Sequence, residues 1–405
     1  MNEPRPIAEV PSHVQTARVV DFDVYNEPGL SHEFHETWLR LAGGEVPGLV
    51  WTIRNGGHWI PTRGEDIAKI YLDHENFSSR VMQVPRERMA GNRPIPGSYD
   101  PPEQNEFRAI INPPLLPRVI QSIEPTISGL ATSLVENLKG RGECDYVADF
   151  ALQLPIRVFL SYAGLPESDA AHLRHLAEEK VRPTGKMDVA EVMQALRDYL
   201  VPRIEARRAN PGDDLLSQLV NGRMKDRALE VDEAVRMCSQ VIVAGLDTVA
   251  SALSFIMLWL SKHPEVRHEL ASAPEKIPAA VEEFLRMFPL VAIAREVRQD
   301  YELDGQVMKK GDIVVLSTML HGLDERIFEH PMDFDLTRRR QVNSTFGQGT
   351  HRCPGASLAR TELQIALREW LARIPDFGVK PGAEVLFTGG VVATVRQLPL
   401  VWQAK

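Results

Sequence analysis

The sequence predicts a mainly α protein with small β-sheets, and three observations carry that reading. From about 119 to 289 the apolar spacing is mostly that of helices, and one pattern within it is long enough to cross a whole domain. Strand-like alternation is confined to short runs, roughly 40–65, 290–320 and 380–402. No internal repeat, low-complexity stretch or Pro/Ser-rich linker interrupts the chain, so residues 1–405 are expected to form a single large domain.

Taken in order, the first hundred residues mix strand and loop signals. In GLVWTIRNGGHWIPTRG two apolar runs flank Asn55-Gly56-Gly57, the pattern of a hairpin. Prolines then break DPPEQNEFRAIINPPLLP. The helical patterns that follow carry stops at Gly164-Leu165-Pro166 and at Asn210-Pro211-Gly212. The longest helix is expected to start near Asp232, acting as N-cap, and to stop before Pro264. About thirty residues at 1.5 Å each span ~45 Å. A further helix follows Pro278 and ends before Pro289. YELDGQVMKKGDIVVLS alternates like paired strands. A helix occupies roughly 354–374, and AEVLFTGGVVATVRQLPLVW reads as a hairpin around Gly389-Gly390.

The net charge of -9 gives no reason to expect a nucleic-acid partner. Cys144, Cys238 and Cys353 are odd in number and form no CxxC pair, which argues against a disulfide framework or a zinc site and fits a reducing compartment. The first twenty residues hold no apolar run preceded by basic residues, so a cytoplasmic protein is expected. Residues 241–260 are apolar enough to cross a bilayer. Asp247 lies inside that stretch, where a central acid costs about 2.5–3.5 kcal/mol. A buried core helix, with no membrane partner, is therefore expected.

One cysteine stands apart. In NSTFGQGTHRCPGASLAR, Cys353 is bracketed by Gly347, Gly349 and Gly355, which let backbone approach another group closely. Pro354 suits the first turn of a following helix, and a thiol there faces backbone N–H groups that favour its thiolate. A lone cysteine is ordinarily a small buried hydrophobe. A presented thiolate is a nucleophile or a metal ligand. His351 is close in sequence, but no motif supports a base for a nucleophile. An axial thiolate to haem needs only one cysteine, glycines for a flat approach, and cations for the propionates, a role open to His351.

Residues Phe346, Gly347, Gly349, His351, Arg352, Cys353 and Gly355 resemble the haem-binding loop of cytochromes P-450. Shared segments NGGHW, DPPEQ, GLDTV, GLDER, RIPDF and LPLVW make the bacterial camphor 5-monooxygenase group the nearest resemblance, over nearly the whole chain. The resemblance implies the cytochrome P-450 fold, a triangular single domain with haem b between a long central helix and the helix after the cysteine loop. It implies Cys353 as iron ligand, and Gln104, Arg108, Arg295 and His351 near the propionates. Phe346, Gly347, Gly349 and Gly355 would shape the loop, with Ala244 and Gly245 on the facing helix. Thr248 would handle oxygen and Asp247 would help deliver protons.

Two of these places also read without the resemblance. Gly245 in mid-helix costs about 1 kcal/mol against Ala. Asp247 and Thr248 in an apolar run need partners or water. That is either a bend with Thr248 bonded back to the previous turn, or a local opening that holds a ligand. Glu283 and Arg286 lie opposite an apolar stripe of Val281, Phe284, Leu285 and Phe288, which reads as a surface ion pair contributing ~0.2–0.5 kcal/mol. The family's ExxR pattern instead implies a buried pair, joined by Arg338.

The resemblance further implies a haem-thiolate monooxygenase that uses dioxygen and electrons from NADH, passed through a ferredoxin reductase and a 2Fe-2S ferredoxin. Arg338, Arg339, Arg340 and Arg352 would face that acidic partner. The substrate pocket would comprise Met82, Gln83, Asn92, Gln240, Val291, Val391 and Val392. Asn92 stands where the camphor group has a tyrosine donor, so a small-to-medium apolar terpenoid or norisoprenoid is expected rather than camphor. A non-catalytic haem sensor, a peroxygenase, and a haem-free cysteine hydrolase are the alternatives.

Overall fold

The computed structural model describes residues 7–43, 45–89, 93–181, 186–339 and 341–404. Two expected site residues, Asn92 and Arg340, lie outside them. The chain divides into two compact units. One comprises Met1–Asn105, Arg286–Cys353 and Phe387–Ala393, and the other Glu106–Leu285, Pro354–Leu386 and Thr394–Lys405.

The first unit is built on a six-stranded sheet. Its strands run in the order Val19–Val20, Leu49–Thr52, His58–Pro61, Ile313–Ser317, Ala292–Val297 and Phe77–Ser78. The expected hairpin is there: Trp51 pairs with Trp59, and Asn55, Gly56 and Gly57 take φ of 52°, 84° and 75°. Gly and Asn are the residues that tolerate such angles. Ile313–Ser317 is buried at every position, as a strand covered on both faces must be. It joins the large sheet, whereas Tyr301–Leu303 pairs with Gln306–Met308 across Asp304-Gly305.

Two helices, Phe34–Ala42 and Gly64–Leu72, occupy a region expected to be strand and loop. Each has nine residues, too few for the helical period to stand out from single matches. Strands Val19–Val20 and Phe77–Ser78, and Glu143–Asp145 in the other unit, were also not expected; two or three residues carry no readable period.

The second unit is mainly helical. Pro117–Lys139, Gln153–Tyr162, Ala170–Val181, Val189–Ala209 and Ala356–Arg373 accompany the long helix Val231–Lys262, and the last four pack against it. Glycine and proline stop helices at Tyr162 and Ala209, as expected. The long helix starts slightly earlier than expected. Glu230, not Asp232, is its N-cap, in a reciprocal capping box with Glu233. Asp232 falls in the first turn, where the helix dipole favours an acid. Its most apolar window is 78% buried inside the protein, so it is a core helix. Gly378–Val379, Pro399–Val401 and Glu143–Asp145 form a small antiparallel sheet. Strands Phe387–Thr388 and Thr394–Val395 flank Gly389-Gly390 in sequence.

Candidate functional site

The cysteine loop belongs to the first unit. Gly347 and Gly349 take φ of 64° and 63°. The Cys353 N–H donates to Phe346 O at 2.8 Å, and the Gly347 N–H to Ser344 O at 2.8 Å. Ser344 is fully buried, and its hydroxyl meets His321 Nδ1 and Gln348 Nε2 at 2.7 and 3.0 Å. These bonds hold a loop that has one turn of regular structure, Gly349–His351. Cys353 is exposed, whereas Cys144 and Cys238 are buried and burial pushes both of their thiols up to about 12. Of three thiols, one is presented. The following helix starts later than expected: it begins at Ala356 with Gly355 as N-cap, so Cys353 and Pro354 precede it and Pro354 is not in its first turn.

Arg295, on strand Ala292–Val297, is 3% exposed. Its Nη1 donates to Ala294 O at 2.8 Å and its Cζ lies 5.5 Å from the centre of the Tyr71 ring. Among the described residues no carboxylate pairs with it. Burial pulls its pKa below the usual value. Buried charges are normally paired, so this guanidinium is one anion short. Gln104 is fully buried; its Nε2 donates to Thr350 O at 2.7 Å, which fastens the start of helix Glu103–Ile111 to the cysteine loop. Its Oε1 and the Thr350 hydroxyl have no hydrogen-bond partner among the described residues. Arg108, one turn further along that helix, and His351 in the loop are both half-buried.

On the long helix, exposure follows one stripe. Between Met237 and Leu258 the only positions not fully buried are Gln240, Val241, Ala244, Gly245 and Thr248. That spacing puts them on one face of the helix. A bare apolar stripe in the middle of a buried helix marks a surface that a flat, apolar group can cover. A Cβ added at Gly245 would meet nothing closer than Phe159 Cδ2 at 3.7 Å, so protein packing does not demand glycine there. The Thr248 hydroxyl donates to Ala244 O at 3.0 Å, and the helix runs unbroken through both. The expected opening is thus an uncovered face with a back-bonded hydroxyl, not a break in the backbone. Asp247 is buried on the adjacent face.

Glu283 and Arg286, in helix Ile277–Met287, are 6% and 2% exposed, and Val281, Phe284, Leu285 and Phe288 are buried as well. The helix is covered all round, which overturns the surface ion pair read from its periodicity. Arg286 Nη1 donates to Gly322 O and Pro331 O at 2.9 and 2.7 Å. Arg338 donates to Glu329 O and Asp333 O at 2.6 and 3.0 Å. The two arginines together brace the chain from 322 to 333 through its carbonyls.

Of the expected pocket residues, the structure joins four through backbone. Val291 bridges to Val392, the Ala292 N–H donates to Val391 O at 3.0 Å, and the Ala294 N–H to Met82 O at 2.9 Å. Gln83 is half-buried beside Met82. Gln240 lies on the open stripe two turns before Thr248. Val241, on the same stripe, was missed; the spacing from Gly245 and Thr248 would have found it.

A presented thiol, a buried guanidinium lacking an anion and a bare helix face match the needs of a haem. The cytochrome P450 family model matches residues 181–274 and 275–381. A probable cytochrome P450 127A1 from Sinorhizobium fredii is 32% identical over 409 residues, covering 97% of each chain. This chain belongs to the cytochrome P450 family. The crystal structure of cytochrome P450 CYP101C1 superposes on this P450 with a TM-score of 0.92 at 40% identity, covering 98% of this chain and 100% of that one. That of CYP101J2 gives 0.91 at 40% identity, covering 97% and 100%. This P450 is therefore close to the CYP101 group. It is an oxidoreductase of the monooxygenase type with a haem b cofactor, and its mainly α architecture with small sheets is that of the family.

Proposed function

We propose that this P450 hydroxylates a small-to-medium apolar terpenoid or norisoprenoid in the cytoplasm, acting as one catalytic domain over residues 1–405. Electrons come from NADH through a ferredoxin reductase and a 2Fe-2S ferredoxin. The observation that carries the reading is the open stripe Gln240–Val241–Ala244–Gly245–Thr248 on an otherwise buried helix, together with likeness to the CYP101 structures.

When bound, haem supplies the activation of dioxygen that no side chain can perform. Cys353 holds its iron, and the loop glycines Gly347, Gly349 and Gly355 with Phe346 keep the thiolate approach narrow. Arg295, Arg108 and His351 hold the propionates. Gln104 acts differently from the arginines: its donor is already committed to Thr350 O, so it fixes the loop that carries His351. Thr248 donates to Ala244 O at rest, and its hydroxyl turns to pass a proton when one is needed. Asp247, buried one position earlier, supplies that proton.

Met82, Gln83, Asn92, Gln240, Val291, Val391 and Val392 line the substrate pocket, apolar except for three amides. Amides can steer one carbonyl or hydroxyl of a compact substrate while excluding water from the rest. The exposed Arg339 and Arg352, with Arg340, present positive charge to an acidic ferredoxin. Arg338 contributes less to that face, because its guanidinium is engaged with backbone carbonyls.

A panel of cyclic terpenoids and norisoprenoid ketones, read by the shift of the haem to high spin and then by product formation with NADH, reductase and ferredoxin, tests this. Norisoprenoid ketones are expected to shift the spectrum and to be hydroxylated, and camphor to do neither. A tight camphor shift contradicts the substrate reading. Spectral shifts without any product under reducing conditions favour a haem sensor instead.

A further inference from the structure

Tyr71 closes helix Gly64–Leu72 next to two parts of the cofactor site. On one side, the Arg295 guanidinium stands over its ring, with Cζ 5.5 Å from the centroid. On the other, its Cε1 would lie 3.7 Å from a Cβ at Gly347, and its carbonyl oxygen 2.9 Å from one at Gly349. The helix that carries it packs against the single turn Gly349–His351. The phenol is buried, burial pushes its pKa to about 12, and its hydroxyl has no hydrogen-bond partner among the described residues. The ring therefore has no polar duty of its own that accounts for its place. Arg295 has a single hydrogen bond, to the carbonyl of its own neighbour Ala294. That bond leaves most of the guanidinium free to swing. The electron-rich ring face is the one feature across the site that limits it.

We propose that Tyr71 is a positioning residue: its ring holds the Arg295 guanidinium at a set distance from the cysteine loop, so that cation and thiolate address one haem together. This rests on the assignment of Arg295 to the propionates. The ring acts as a spacer, with its face on the cation and its edge and backbone on Gly347 and Gly349. A cation–π contact is strongest where water is excluded, which is the situation at this buried arginine. Phe at this position preserves both contacts, whereas Leu preserves bulk but removes the π face.

The test compares Tyr71→Phe, Tyr71→Leu, Arg295→Gln and the Tyr71→Leu/Arg295→Gln pair in the holoenzyme. The readouts are the rate of haem transfer to apomyoglobin and the ferric/ferrous midpoint potential. Tyr71→Phe is expected to match the wild type. Tyr71→Leu is expected to lose haem about tenfold faster and to shift the potential. In the double variant, Arg295→Gln should add less than it does alone, because the arginine is already misplaced. Independent effects in the double variant overturn the proposal, as does a Tyr71→Leu protein that retains haem like the wild type. If Tyr71→Leu does not fold, Tyr71→Phe decides: haem loss as fast as in Arg295→Gln assigns the role to the hydroxyl and overturns the ring spacer. Wild-type protein whose haem retention is indifferent to Arg295→Gln defeats the propionate reading itself, a result distinct from failure of the Tyr71 step.

Discussion

The cysteine loop and the long helix are made into ligand-facing surfaces by opposite means. In the loop the backbone departs from regularity: Gly347 and Gly349 sit at positive φ, and buried side chains of Ser344, Gln348 and Gln104 tie it down. In the helix the backbone is regular for 32 residues, and the departure is in what the side chains leave bare. Even the same residue type does different work. A Cβ at Gly349 would strike Tyr71 O at 2.9 Å, so the protein itself demands glycine there. At Gly245 the nearest atom would be 3.7 Å away, so the glycine is reserved for something other than protein packing. A surface can be shaped by bending the chain or by leaving a straight element uncovered, and mutations separate the two.

The largest effect is expected at the loop. Cys353→Ala should abolish the strongly red-displaced Soret band of the reduced carbon monoxide complex. Thr248→Ala should keep that band, because the helix contributes no iron ligand. A retained band in Cys353→Ala breaks the comparison outright. Next, Asp247→Asn should lower product formation by roughly 10²-fold, the scale of a lost proton-transfer group, with the same spectrum; steady-state product analysis checks it.

A third test sets two buried helical acids side by side. Asp247 makes interactions in the folded protein, whereas Glu362 Oε2, on helix Ala356–Arg373, has no partner among the described residues. Burial raises the Glu362 carboxyl from 4.5 to about 8. The folded state therefore keeps a proton that the unfolded chain releases above pH 4.5. Stability from this group is fully present below that pH and is lost as pH rises through about 8. Glu362→Gln should leave urea stability unchanged at pH 4.5 and raise it by roughly 3–5 kcal/mol at pH 8 and above. A pH-independent difference removes the argument.

The smallest effects sharpen the comparison most. In apoprotein, Gly349→Ala should cost about 1–3 kcal/mol, from the left-handed φ and the clash with Tyr71 O. Gly245→Ala should instead stabilise by up to ~1 kcal/mol, because alanine is the better helix former and has room. Both should weaken haem retention. Equal apoprotein effects, measured by urea unfolding, would remove the distinction between the two glycines.

Much of this was legible in the chain. Asn55-Gly56-Gly57 announced its hairpin because positive φ restricts the residue choice locally. The haem loop was readable because glycines, a basic residue and one cysteine recur at set spacing. Other features misled. The stripe in 277–287 was real, but periodicity cannot tell a helix half covered from one covered all round, so Glu283 and Arg286 read as surface. Phe34–Ala42 and Gly64–Leu72 were missed because nine residues of mixed polarity do not establish a period. Tyr71 had no signal at all: nothing in IYLDHE hints that its ring meets an arginine more than two hundred residues away.

By itself, then, the order of amino acids determined where turns, stops and strands can form, and which single cysteine sits in a glycine-rich loop. Those outcomes depend on φ preferences, caps and spacing within a few residues. Only the tertiary structure decided that Cys353 is presented while two other thiols are sealed, that Arg295 is buried without an anion, and that one stripe of a core helix stays bare. Burial and missing partners are sums over atoms contributed by distant parts of the chain, and no local pattern encodes a sum of that kind.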